Sequence, residues 1–115
     1  MWQAPAVDTA LGLLVFGVDN PSPDMDGTVR PGDNLYTDCI VALDYRTGTL
    51  RWYLQEVPHD TWDYDPVSPV VLTDIPGSNG VEKCVPPGTS LRSTSGMRLA
   101  SARPCSGGTS LSRSP

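Results

Sequence analysis

The sequence predicts an all-β fold built from short antiparallel strands. Two observations indicate this fold class. Apolar residues either alternate with polar ones or form short runs, and no segment shows the apolar period of a long helix. Turn-forming residues, among them 11 Gly and 12 Pro in 115 residues, recur between these segments. Short strands separated by turn signals are typical of β-sandwiches, barrels and propellers.

The first predicted strand is LGLLVFGV, Leu11–Val18, an apolar run rich in residues that favour a buried strand. The run ends at Asp19. The stretch that follows, NPSPDMDGTVRPGDN, consists largely of turn-forming residues. We therefore expect one strand and then a long loop before the next regular segment.

The most regular part of the chain predicts a β-hairpin. Two sets of side chains alternate along Tyr36–Leu43 and again along Leu50–Gln55, as expected for two paired strands. Asp44–Gly48 would form the turn, with Gly48 suited to a positive φ. A further strand is predicted over Pro66–Ile75, begun by prolines, which cannot donate hydrogen bonds to a sheet.

Composition divides the chain into two parts. All 13 acidic residues lie at or before Glu82, and every aromatic residue lies at or before Tyr64. Residues 83–115 are rich in Ser, Gly and Pro and have no apolar period, so they cannot bury enough surface to offset the entropy of ordering. We predict a folded domain over residues 1–82 and a tail over residues 83–115, either disordered or the product of a shifted reading frame.

Charge and hydropathy exclude several partners. The formal net charge of −5 disfavours nucleic acid and anionic membranes, and no apolar run approaches the ~20 residues of a membrane span. The N-terminus lacks the features of an export signal, so the chain is expected to be either cytosolic or an internal piece of an exported protein. The three cysteines form no Cys-x-x-Cys pair and predict neither a zinc site nor a disulfide framework.

Four motifs resemble the quinoprotein alcohol dehydrogenases that use pyrroloquinoline quinone (PQQ). The hairpin ALDYRTGTLRW is similar to the tryptophan docking motif that occurs once in each blade of their eight-bladed propeller. Three further stretches resemble family segments in order and spacing: WQAPAVD, FGVDNPSPDMDGTVRPGDNLYTD and PHDTWDYD. The resemblance implies that residues 1–82 form about two four-stranded blades of a β-propeller, an internal fragment of an enzyme that is periplasmic when intact.

The resemblance also implies a metal and catalytic site. Asn20 falls on the family's metal-binding asparagine, whose amide oxygen suits Ca²⁺. Asp63 falls on the catalytic aspartate, a metal ligand and the general base for the substrate hydroxyl. Asp65 adds a second carboxylate to the metal set, as in lanthanide-using members and in some sugar dehydrogenases, so Ca²⁺ and a lanthanide both stay open. Trp2 falls where the family stacks a tryptophan on PQQ.

The rest of the acid-rich segment has predicted structural roles. If the segment is extended, Asp63 and Asp65 project to the same side, with Cα atoms ~6–7 Å apart. Trp62 is expected to pack beneath the loop and to orient Asp63. His59 and Asp60 are expected to fix the loop through hydrogen bonds. On the hairpin, Trp52 matches the docking tryptophan between blades.

The function implied is oxidation of a primary alcohol, a polyol or a sugar to the carbonyl, by hydride transfer to metal-bound PQQ, with a cytochrome c as electron acceptor in the intact enzyme. The family's metal-binding glutamate, the basic residue near the quinone and the adjacent-cysteine disulfide have no counterpart in this sequence. We therefore expect the chain to be inactive alone. Two alternatives are a non-catalytic propeller scaffold for protein binding and an inactive truncated product.

Overall fold

The computed structural model describes residues 3–77, 80–85 and 97–98, and in these residues every regular element is a β-strand. The strands are β1 (Ala6–Asp8), β2 (Leu13–Val18), β3 (Cys39–Asp44), β4 (Leu50–Gln55), β5 (Thr73–Gly77), β6 (Gly80–Val85) and β7 (Met97–Arg98). They form a four-stranded sheet, β1-β2-β3-β4, and a three-stranded sheet, β5-β6-β7, both antiparallel. The predicted all-β class is confirmed. The described segments contain no helix long and apolar enough to cross a membrane.

The predicted hairpin is β3 and β4, paired from Cys39 opposite Gln55 to Leu43 opposite Leu50. Gly48 has a φ of 73° and donates its N–H to the carbonyl of Asp44 at 2.8 Å, which closes the turn as expected. The first strand begins at Cys39 rather than at the predicted Tyr36. The residues before it are in a turn, in which the Thr37 N–H donates to the Asn34 carbonyl at 2.9 Å.

The core lies on one face of the four-stranded sheet. Alternate residues of β2 point inward and pack against inward residues of β3 and β4. Val70, which lies after the sheet in the chain, completes the cluster. Its members are Leu13, Val15, Ile40, Ala42, Trp52 and Val70. Trp52 is thus a core residue of its own sheet. Burial of these six side chains stabilises this part of the chain by about 25 cal/mol for each Å² of apolar surface removed from water.

The strand predicted over Pro66–Ile75 begins only at Thr73. Two prolines in its first half, Pro66 and Pro69, have no N–H to pair with a neighbouring strand, so this half runs as an irregular segment. Val70 in that segment packs into the core of the first sheet. The apolar residues predicted to form a strand therefore serve as a connection that covers the core.

Strand β6 crosses the predicted boundary between residues 82 and 83 and continues to Val85. β7 pairs with it through Arg98 opposite Cys84. Cys84, for which we expected no disulfide, is disulfide-bonded, whereas Cys39 is a buried free thiol. Most of the predicted tail, residues 86–96 and 99–115, lies outside the described residues.

Candidate metal and catalytic site

Asn20 contacts both acids of the predicted site, although they lie 43 and 45 residues further along the chain. Its side-chain Nδ2 donates to Asp63 Oδ1 at 2.8 Å, and its backbone N–H donates to Asp65 Oδ1 at 3.1 Å. Asn20 follows β2 by two residues, so the first sheet fixes its position. The structure therefore brings the three predicted metal ligands together.

Asp63 has a backbone φ of 65°, in the left-handed region that residues other than Gly, Asn and Asp seldom adopt. The predicted extended conformation is therefore wrong at this residue. The carboxylates of Asp63 and Asp65 meet at Asn20 because the chain leaves the extended conformation at Asp63, and not because alternate residues of a strand share a face. A strained residue in a site is a recognised sign of function.

Asp60 holds the backbone on both sides of Asp63. Its side chain is fully buried; Oδ1 accepts the N–H of Trp62 at 2.9 Å, and Oδ2 accepts the N–H of Tyr64 at 2.7 Å. Charge-assisted hydrogen bonds of this kind are among the stronger ones in proteins. The prediction that Asp60 fixes the loop through hydrogen bonds is confirmed.

His59 joins the acid loop to the RPGDN segment. Its Nδ1 lies 2.7 Å from the carbonyl oxygen of Gly32, so this nitrogen carries the proton and donates. Its backbone N–H donates to the carbonyl of Asp33 at 3.2 Å. On its other side, Nε2 comes so close to Gly27 that a Cβ there would lie 2.3 Å away. The predicted structural role of His59 is confirmed.

Arg30 makes a second link between the same two segments, and the sequence analysis assigned it no role. Nη2 donates to the backbone carbonyl of Asp60 at 2.5 Å and to that of Asp24 at 3.1 Å. Nη1 donates to Asn34 Oδ1 at 2.6 Å, and Nε donates to the Pro23 carbonyl at 3.0 Å. The sequence feature that could have identified Arg30 is the RPGDN motif, in which an arginine stands among turn-forming residues.

Negative charge accumulates around Asp63, and no cation of the residues that the structure describes is paired with it. The ion pairs among the described residues lie elsewhere, between Arg51 and Asp44 and between Lys83 and two acids. Desolvation raises the pKa of Asp63, and the charges of Asp24, Asp65 and Asp60 raise it further. A cation bound here would reverse this effect and keep Asp63 ionised.

Asp38 is a second feature that the sequence analysis missed, because it was interpreted as an ordinary strand residue. Its side chain is 1% exposed, and within the described part of the chain neither carboxylate oxygen has a hydrogen-bond partner of good geometry. Burial raises the pKa of Asp38 to about 7, and the charges of Asp60 and Asp65 add to the shift. Asp38 is therefore protonated over most of the acidic pH range.

Two predictions about tryptophans have different outcomes. Trp62 is 62% exposed, and its ring centroid lies 6.1 Å from that of Tyr64, so the prediction that it packs beneath the loop is wrong. The buried carboxylate of Asp60 takes the position-fixing role instead. Trp2, the predicted contact to PQQ, lies outside the described residues.

The side chains present fit a hard cation. Two carboxylates and a carboxamide supply the oxygen ligands that Ca²⁺ and related ions prefer, and a half-turn of the Asn20 amide would present its oxygen in place of its nitrogen. Within the described ranges, no three His, Cys, Asp or Glu side chains are grouped to hold a metal ion. The trio therefore supplies part of a coordination shell.

Comparison with known proteins identifies the family. Residues 1–89 match the family model of the PQQ glucose/ethanol/alcohol dehydrogenase β-propeller domain. The quinoprotein alcohol dehydrogenase PedH of Pseudomonas putida is 40% identical over 70 residues, which cover 61% of this chain. Subunit 1 of the methanol dehydrogenase [cytochrome c] of Methylorubrum extorquens is 38% identical over 79 residues, which cover 69% of this chain.

The folds agree as well. A europium-containing methanol dehydrogenase superposes with a TM-score of 0.76 at 28% identity, over 90% of this chain and 18% of that one. The chain spans about one eighth of the length of the curated relatives it matches, 12% of PedH and 12% of the methanol dehydrogenase subunit. The predicted family and its propeller architecture are confirmed: the chain belongs to the PQQ-dependent glucose/ethanol/alcohol dehydrogenase family, as part of its β-propeller domain.

Proposed function

We propose that this chain contributes the Asn20–Asp63–Asp65 part of the active site of a PQQ-dependent dehydrogenase that oxidises a primary alcohol, a polyol or a sugar to the carbonyl. The observation that carries the proposal is the pair of hydrogen bonds from Asn20 to the two acids. These contacts join segments more than 40 residues apart, and a scaffold without chemistry has no need of them.

The three residues would hold Ca²⁺ or a lanthanide ion. Asn20 would supply a neutral oxygen, and Asp63 and Asp65 would each supply a negatively charged one. The second carboxylate matters more for a trivalent ion, because its attraction to each negative ligand is larger. A europium-containing relative with the same fold supports the lanthanide alternative.

Asp63 would act as the general base. Its Oδ1 accepts the Asn20 hydrogen bond, which leaves Oδ2 to take the hydroxyl proton of the alcohol. When bound, PQQ would supply the hydride acceptor for the alcohol carbon, and the cation held by these residues would supply Lewis-acid chemistry. A nearby cation would lower the pKa of Asp63 and so offset the partial desolvation and the three neighbouring carboxylates that raise it.

Other parts of the proposal depend on the relatives. One of them is named as a methanol dehydrogenase that uses cytochrome c, which supports a cytochrome c as the electron acceptor of the intact enzyme. A periplasmic location and stacking of Trp2 on PQQ are expected from the family resemblance. The isolated chain is expected to bind the cation but not to oxidise alcohol.

Calorimetric titration of the 115-residue chain with CaCl₂ and with LaCl₃ tests the proposal. We expect binding of at least one ion by the wild-type chain, and a loss of about tenfold or more in affinity for Asp63→Asn. Asp65→Asn should weaken La³⁺ binding more than Ca²⁺ binding. The matched control is Asp33→Asn, which removes an exposed charge from the RPGDN segment. Equal binding by the wild type and Asp63→Asn would favour the scaffold alternative.

A further inference from the structure

Asp63 adopts its left-handed conformation at a cost in free energy, so other contacts must stabilise it. No hydrogen bond of its own backbone is found among the described contacts of the loop, and its one described side-chain contact is to Asn20. The stabilisation must then come from the residues on either side. This makes the geometry of the base depend on groups that never touch a substrate.

The backbone amides of Trp62 and Tyr64 flank Asp63 and are held by one carboxylate. Asp60 Oδ1 accepts the first at 2.9 Å, and Oδ2 accepts the second at 2.7 Å. Because the two bonds converge on a fully buried group, the Thr61–Trp62 and Asp63–Tyr64 peptide units, on either side of Asp63, cannot rotate independently. We call the Asp60 carboxylate and these two amides the Asp60 clamp.

Arg30 stabilises the Asp60 clamp through a hydrogen bond to the Asp60 backbone. Its Nη2 donates to the Asp60 backbone carbonyl at 2.5 Å, while Nη1 and Nε are fixed by Asn34 Oδ1 and by the Pro23 carbonyl. The planar guanidinium makes these bonds in three directions at once, which a lysine ammonium on a flexible stem cannot reproduce. Arg30 therefore transmits the position of the RPGDN segment to the residue that orients Asp63.

We propose that Asp60 and Arg30 are positioning residues that hold Asp63 in the conformation required for cation binding. The inference rests on the proposed function of Asp63. The described hydrogen bonds of Asp60 and Arg30 do not pair opposite charges. Both carboxylate oxygens of Asp60 accept from backbone amides, and Arg30 donates to carbonyl or amide oxygens.

Terbium luminescence of the full 115-residue chain provides the test. Trp62 and Tyr64 flank Asp63, so excitation of these aromatic rings should sensitise a Tb³⁺ ion bound at the site. The decay rates in H₂O and D₂O report how many water molecules remain on the ion. This second readout detects a lost protein ligand and is insensitive to a loss of overall stability.

We expect Asp60→Asn to weaken Tb³⁺ binding about tenfold or more, as is usual when the support of a metal ligand is removed. The amide nitrogen of the introduced asparagine cannot accept a hydrogen bond, so one of the two backbone N–H groups, of Trp62 or of Tyr64, would lose its acceptor. Arg30→Lys, which keeps the charge, should have the same direction of effect. Both variants should retain more water on the ion, as Asp63→Asn does. The controls are Asp33→Asn for loss of a nearby charge and Arg46→Lys for the same substitution at an exposed turn, and both should bind as the wild type does.

The outcomes separate the two proposals. If the wild-type chain does not bind Tb³⁺, the proposed function fails and this inference fails with it. If the wild type binds and Asp63→Asn does not, but Asp60→Asn and Arg30→Lys match their controls in affinity and hydration, the clamp is refuted while the proposed function stands. Circular dichroism reports whether each variant folds. Should Asp60→Asn not fold, Arg30→Lys decides the question, because it alters only a half-buried side chain.

Discussion

Lys83 on β6 reaches the end of β1, where its Nζ lies 3.2 Å from Oδ2 of Asp8. The Asp8 side chain is buried, and its Oδ1 accepts the N–H of Leu11 at 2.8 Å. The Leu11 hydrogen bond is the main cause that lowers the pKa of Asp8, and Lys83 lowers it further. This ion pair connects the two sheets.

Lys83→Met should therefore lower the free energy of unfolding at pH 7, because it leaves the buried carboxylate of Asp8 without its cation. A carboxyl with a lowered folded pKa contributes stability above its unfolded pKa and loses it as the pH falls through the folded pKa. The difference between the variant and the wild type should then shrink below about pH 4. Urea denaturation at several pH values measures it.

Asp74→Asn is the matched control for Lys83→Met. Asp74 is the other acid near Lys83, at 3.6 Å, but its side chain is 60% exposed. We expect a change below about 0.5 kcal/mol, because exposed ion pairs contribute little. Equal effects of the two substitutions would contradict the special role assigned to the buried Asp8.

Asp38→Asn should stabilise the chain at alkaline pH. The folded-state pKa of Asp38 is about 7, against an ordinary value of 3.8, so the folded state binds its proton more tightly than the unfolded state does. The resulting stability is complete below the unfolded pKa and is lost as the pH rises through about 7. An asparagine, which does not titrate, should be more stable than the wild type by ~1–3 kcal/mol at pH 8.

The pH dependence distinguishes this effect from a general gain in stability. Asp60, Asp65 and Glu56 are the other acids that act on Asp38, and all of them are kept in the variant. We expect the advantage of Asp38→Asn to disappear between pH 7 and pH 4, as measured by thermal unfolding. An advantage that is constant with pH would show that Asp38 is not the titrating group.

Gly27→Ala should destabilise the loop that carries His59. The added Cβ would lie 2.3 Å from His59 Nε2, and the ring cannot retreat without losing its hydrogen bond to Gly32. We expect a loss of ~1–3 kcal/mol, the usual cost of overpacking. A double-mutant cycle with His59→Ala checks the cause, since the cost of Gly27→Ala should largely vanish once the ring is absent.

Cys39 should resist alkylation while the chain is folded. Its thiol is fully buried, and burial raises its pKa to about 12, with the Asp38 and Glu56 charges adding to the shift. Iodoacetamide at pH 8 should label it only in urea. Tyr53→Cys, on an exposed position of the neighbouring strand β4, should gain a thiol that reacts at once. Rapid labelling of Cys39 in the folded chain would contradict the described burial.

The hairpin could be predicted from the sequence because its information is local. Alternation over Leu50–Gln55 and a glycine at Gly48 specify a strand and a turn without reference to the rest of the chain. The segment Pro66–Ile75 was harder, because its apolar residues suit both a strand and a core-covering connection. Only the position of Val70 against the first sheet distinguishes the two.

The site was predicted from a family resemblance, and its geometry could not be predicted from periodicity. No local pattern indicates that Asn20 contacts residues more than 40 positions away. The left-handed φ of Asp63 likewise depends on Asp60, and the burial of Asp38 depends on its tertiary surroundings. Sequence patterns report which side chains prefer water, whereas these properties depend on which distant segments meet.

The order of the strands has a consequence for the order of folding. In the first sheet each strand pairs with the next one in the chain, so β1 to β4 can assemble through short loop closures and one longer one across the loop between β2 and β3. The contacts of Asn20 with Asp63 and Asp65 require both flanking segments to be in place already. We expect the sheet to form on a faster timescale than the cation site, so that a refolding experiment recovers strand signals before it recovers ion binding.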